Sequence, residues 1–70
     1  MPDAWSLSTE ARRLIAQRLY GPTAQPRVYS GLYLTVLVGD DVYHVSEPRI
    51  TSVLRDIAAE QGRSIWDYHA

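Results

Sequence analysis

Seventy residues carrying seven arginines, eight acids and a net charge of −1 make one small domain, residues 1–70. The chain is too short for a second core, and too weakly charged for the strongly basic patch of a nucleic-acid footprint. Cysteine is absent, so disulfides and thiolate metal ligation are excluded, and a core drawn from the 46% apolar residues, or association with a further chain, has to supply stability.

Lysine, phenylalanine and asparagine are also missing, a usage that suits a GC-rich bacterial or phage genome. The opening MPDAWSLSTEARR has an acid ahead of any apolar stretch, so no signal peptide is expected. The longest apolar window, GLYLTVLVG, is far too short to cross a bilayer. A cytoplasmic protein without a membrane partner is the expectation.

The first helix is predicted from about Ser8 to Tyr20, with Ser6 or Ser8 as N-cap and Glu10 in the first turn, where the helix dipole favours an acid. Leu7, Ala11, Leu14, Ile15 and Leu19 share one side, while Arg12, Arg13 and Gln17 point away. Arg18 falls inside the apolar stripe. Either its stem lies on the core with the charged head in water, or it is buried and paired with an acid of the second helix.

After that helix, YGPTAQPRV supplies a glycine cap and two prolines that favour extended chain. VYSGLYLTVLV is rich in β-branched and aromatic residues, and Gly39-Asp40 suits a two-residue turn into DVYHVS. That register sets Leu34 opposite Val45 and Val36 opposite Tyr43 on one apolar face. Tyr33, Thr35, Leu37, Val42 and His44 then share the other. Gly31 marks a bulge or a break after a short strand at Val28 to Ser30.

The second helix is capped by Ser46, carries Pro48 in its first turn, buries Ile50, Val53, Leu54, Ile57, Ala58 and Gln61 in one stripe, and ends at Gly62. The closing RSIWDYHA reads as an edge strand, a tail folding Trp66 onto the core, or the stub of a further helix. The order implies an α+β domain: a helix, an antiparallel hairpin of two or three strands, and a helix, with both helices on one face of the sheet. Tyr29, Tyr33, Leu37, Val42 and His44 are expected on the opposite face, open unless Trp66 and Tyr68 or a second copy of the chain covers it.

Catalytic chemistry finds little footing. Of two histidines, His69 stands one residue from the C-terminus, and His44 beside Asp40 and Asp41 is the one candidate general base. Asp40-Asp41 lacks the alternating ligands of a calcium loop, and the histidines have no zinc spacing. Isolated glycines make no phosphate loop, and no serine sits in a nucleophile elbow. No enzyme activity, metal or cofactor is expected.

The succession VYHV, SEPRITSVLRDIAAEQGRS and IWDYH resembles the ribbon-helix-helix DNA-binding proteins over about a third of the chain. The resemblance implies an obligate dimer whose paired strands enter the major groove, with Tyr43, His44 and Ser46 toward bases and Arg49 and Arg63 near phosphates. Its second helix would have only Ser64 to Ala70 to form from, which is marginal. The helix, sheet, helix order also resembles the small double-stranded-RNA-binding-type fold, including toxins that cleave mRNA with one histidine, here His44.

Weighing these, the sequence points first to a protein-binding module, an accessory protein of a bacterium, plasmid or phage that inhibits or regulates a host protein by occupying its surface. Nucleic acid is the less favoured partner, and a homodimer stays open. The binding face would be Tyr29, Tyr33, Leu37, Val42 and His44, or the arginines Arg12, Arg13 and Arg27. The acids Asp40, Asp41, Glu47, Asp56 and Glu60 form a further surface, either a carboxylate mimic of nucleic acid or a solvated face that favours solubility.

Overall fold

In the computed structural model, which describes residues 7–69, the order is α1 (Thr9–Tyr20), β1 (Gln25–Tyr29), β2 (Tyr33–Val38), β3 (Asp41–Ser46), α2 (Glu47–Gln61) and a 3-10 turn at Ile65–Tyr68. The strands form one antiparallel sheet in the order β1-β2-β3. Helix α1 lies over β1 and β2, α2 lies over β2 and β3, and the helices touch each other. The expected α+β architecture is therefore present, with three strands.

Helix α1 starts where Ser8, in extended conformation, accepts the Ala11 N–H on its hydroxyl at 3.1 Å. This satisfies one of the donors that a helix start leaves free. The alternative cap, Ser6, lies outside the described residues. Ala11, Ile15 and Ala16 of α1 are buried, and Leu14 and Leu19 pack partly against the same core. Two small residues on this face let the helix approach the sheet closely.

Hairpin β2–β3 has the expected register, Leu34 opposite Val45 and Val36 opposite Tyr43. Gly39 opens the two-residue turn at φ +61°, a conformation that β-carbon sterics disfavour in other residues. Leu34, Val36 and Val45 are at most 1% exposed. Each fully buried apolar side chain of this kind contributes about 2 kcal/mol.

Gly31 belongs to the turn between β1 and β2, where the Ser30 N–H donates to the Tyr33 carbonyl. The bulge lies earlier, between Pro26 and Tyr29.

Strand β3 runs into α2 without a loop. Ser46 has N-cap geometry, but its hydroxyl makes no capping bond. The Glu47 N–H instead extends the sheet ladder to the Leu32 carbonyl at 2.8 Å. Ile50, Val53, Leu54, Ile57 and Ala58 are buried, whereas Gln61 is exposed. At the other end Gly62 is left-handed (φ +64°), with its N–H to Ala59 and the Arg63 N–H to Ala58. These two bonds make a Schellman cap, so Gly62-Arg63-Ser64 ends a helix and does not lead into a full second one.

The chain then enters the 3-10 turn, started by the Ser64 hydroxyl accepting from Trp66 N–H and the Asp67 carboxylate accepting from Ser64 N–H. Tyr68, 1% exposed, enters the core on the helix side, and Leu7 bridges to His69. The closing residues thus join the two ends of the described chain. The alternative in which Trp66 and Tyr68 cover the opposite sheet face does not hold: Tyr68 is buried in the core cluster with the helix residues, and Trp66 is 49% exposed, beside Leu7 and Ile50.

Arg18 does pair with an acid of α2, Glu60, through both guanidinium ends, with Nη1 to Oε1 at 2.7 Å. Both side chains are exposed, so the ion pair expected of a buried arginine forms with its charged head in water. The hydrogen bond from Arg18 holds the Glu60 carboxyl below its usual range, and the same bond raises Arg18. Because the folded-state value of Glu60 lies below the unfolded one, the stability it contributes is present above the ordinary carboxylate range. It is lost as pH falls through the lowered value. Glu60→Gln should therefore be slightly less stable than the native chain at neutral pH, by little because solvent screens an exposed pair, and equal to it below the lowered value, so that its acid limb is the flatter of the two. Urea midpoints across that limb check this, and parallel curves for the two proteins would refute it.

Candidate functional site

The sheet has one face under the helices and one without a layer over it among the described residues. Strand alternation carries Tyr33, Thr35 and Leu37 of β2, and Val42 and His44 of β3, to that second face. Tyr33 is 44% exposed and Val42 56%, values that no covering layer would leave. The imidazole of His44 meets the Tyr33 ring edge-on at 5.2 Å, and its Nδ1 shares a 3.3 Å hydrogen bond with the Thr35 hydroxyl. These contacts limit the side chains' rotamers in advance, which lowers the entropy that docking would otherwise cost.

Tyr29 does not belong to this face, a correction to the sequence expectation. An uninterrupted ladder continuing from Gln25 opposite Leu37 and Pro26 opposite Val36 would set Tyr29 against Tyr33. The bulge shifts the register by one, so Tyr29 stands opposite Leu34, and one step flips a side chain to the other face. Tyr29 is half-buried there, beside Leu7, Ile50, Leu54 and Trp66 around a small cleft.

Arg12, expected to point away, is half-buried. Its guanidinium lies 5.2 Å from the centre of the Tyr29 ring, and its Nε is shielded and has no hydrogen-bond partner among the described residues. Arg13 and Arg27 are exposed.

The acids are all exposed but do not share one surface. Asp40 and Asp41 stand at the β2–β3 turn, and Glu47 stands at the far end of β3, about 20 Å away at ordinary strand rise. Glu47 accepts from the Thr51 hydroxyl. Glu60 is engaged with Arg18, and Asp56 lies close enough to raise Arg18 further.

His44 does not form a base-beside-acid pair with Asp41, because an odd spacing along β3 puts Asp41 on the helix side. His69 is half-buried, and its Nδ1 donates to the Ile65 carbonyl at 2.9 Å. Among the described residues no three His, Asp or Glu side chains gather as a metal site, and no helix is long and apolar enough to cross a membrane.

Three exposed apolar side chains escaped the sequence reading: Val28, 60% exposed in β1, Leu32 and Tyr43. Leu32 is 66% exposed at the tip of the β1–β2 turn; its place right after Gly31 was the available signal. Tyr43 of β3 stacks on Tyr20 of α1 at 4.7 Å on the helix side of the sheet, and is 40% exposed. Compared with protein-family models, curated proteins and solved structures, the chain matches none.

Proposed function

We propose that this protein is a small non-enzymatic binding module that seats its uncovered sheet face on another protein. One observation carries the reading: Tyr33, Leu37, Val42 and His44 share a face that neither helix nor the 3-10 turn reaches, while Leu34, Val36 and Val45 behind it are fully buried. Tyrosine and aliphatic side chains around a histidine make a surface that is apolar at its centre and able to hydrogen-bond, the composition favoured at protein contacts. A partner covered in this way loses the use of the surface it contributes. That suffices for a protein without chemistry of its own to inhibit or regulate.

Its test is parallel capture from a nuclease-treated lysate by the native protein, Tyr33→Ala and Leu37→Asp, with folding of each verified by circular dichroism. A protein held by the native chain and lost from both variants is the expected result. Equal recovery by all three proteins would remove this face from consideration.

A further inference from the structure

We propose that the outer edge of β3 receives an added strand, an extended segment of the partner protein with lysine or arginine at its ends. This rests on the protein-binding reading and specifies how the partner is held. In the sheet order β1-β2-β3 two strands are edges. Strand β1 carries Pro26 and a bulge, both devices that blunt an edge against pairing. Strand β3 has neither: six consecutive residues pair with β2 in unbroken register.

The Glu47 N–H to Leu32 carbonyl bond fixes which groups face outward. Residues 32 and 47 continue the ladder one step past Tyr33 and Ser46, and bonded pairs alternate with non-bonded ones. Val36 with Tyr43 and Leu34 with Val45 are therefore bonded pairs. Val42 and His44 turn their N–H and C=O groups away from β2, toward the free edge.

That edge is continuous with the open face. The face alone, three strands wide and six residues long, offers on the order of 300 Å², against roughly 800 Å² per partner for a stable interface. An added strand enlarges it and contributes main-chain hydrogen bonds. Its residues would alternate between Val42 and His44 on one side and the Tyr20–Tyr43 stack on the other.

Charge selects the occupant. Asp40 and Asp41 stand at one end of β3 and Glu47 at the other, all exposed, and β3 itself holds no arginine or lysine, its one basic side chain being the His44 imidazole; Arg49, in the first turn of α2, is the one arginine nearby in sequence. A second copy pairing antiparallel through β3 would bring Asp40 and Asp41 of each chain toward Glu47 of the other. Like charges oppose that arrangement, whereas a segment with basic ends is attracted to it.

The experiment selects a displayed library of short random peptides on the full chain, and counterselects on Val42→Pro. That variant removes one outward N–H at a position where an edge strand tolerates proline. A synthetic chain N-methylated at Val42 serves if the proline variant does not fold. The expected result is enrichment of peptides with basic ends, slowed hydrogen exchange at the Val42 and His44 amides, and binding weaker by about tenfold without the Val42 donor. Enrichment that ignores Val42→Pro, exchange unchanged at both amides, or self-association of the free protein through them would each overturn the added strand. In the lysate capture, a partner lost from Leu37→Asp but kept by Val42→Pro overturns the edge alone and leaves the sheet-face reading standing. With no partner captured at all, that reading falls while the library still decides the edge.

Discussion

Leu34→Ala should lower folding stability by about 3 kcal/mol, while Val42→Ala should cost at most about 1 kcal/mol. Leu34 is fully buried in the central strand, in one core cluster with Val36 and the buried helix residues, so truncation leaves a cavity that a closely packed core fills only in part. Val42 is 56% exposed on the outer strand, and the change there costs little beyond strand preference. A seventy-residue domain has roughly 4–10 kcal/mol in total, so the first variant gives up a large share of it, about 15–20 °C in Tm. Paired urea melts at several protein concentrations decide the matter. Similar losses in the two variants would mean that the sheet face is covered in solution, against the binding reading.

The physical reason for this sidedness is local, and most of it was legible. Two residues at Gly39-Asp40 permit one hairpin register, and that register together with the period of two assigns Leu34, Val36 and Val45 to one side and Leu37, Val42 and His44 to the other. Gly62 was readable as a cap because a left-handed residue after an amphipathic helix asks for glycine. Arg18, inside the apolar stripe, was readable either as a side chain with its head in water or as a partner of an acid of α2, and the two occur together.

Other features depended on how the elements meet. The bulge between Pro26 and Tyr29 answers to the fit of β1 against β2 and α1, and no residue within QPRVY announces it. One missed register step was enough to move Tyr29 from the open face to the helix side and, with it, Arg12 onto its ring. The acids were counted as one surface because they cluster in sequence. Three-dimensional spacing divides them between the hairpin turn, the start of α2 and the α1–α2 contact. The division matters for function, since acids at both ends of β3 frame an edge, whereas a single acidic patch would have favoured nucleic-acid mimicry.

Replacing Tyr68 by alanine should cost about 3–5 kcal/mol, on the order of half the fold's stability, while Tyr68→Phe should gain about 1 kcal/mol. The ring is 1% exposed and among the largest fully buried side chains, yet among the described residues its hydroxyl meets no hydrogen-bond partner. An unpaired buried hydroxyl carries its desolvation cost without return, and phenylalanine removes that cost while keeping the shape. The Arg63 guanidinium, 4.8 Å from the ring centre, retains its contact in the phenylalanine variant and loses it in alanine. More than packing goes with the alanine change. The Tyr68 carbonyl accepts the Ser8 N–H at 2.8 Å, and His69 beside it bridges to Leu7, so releasing the ring also loosens the start of α1. Urea unfolding with an unchanged m-value separates these cases. A Tyr68→Phe protein less stable than native by about 1 kcal/mol would show the hydroxyl to be bonded in solution and would assign the 3-10 turn a polar anchor as well as an apolar one.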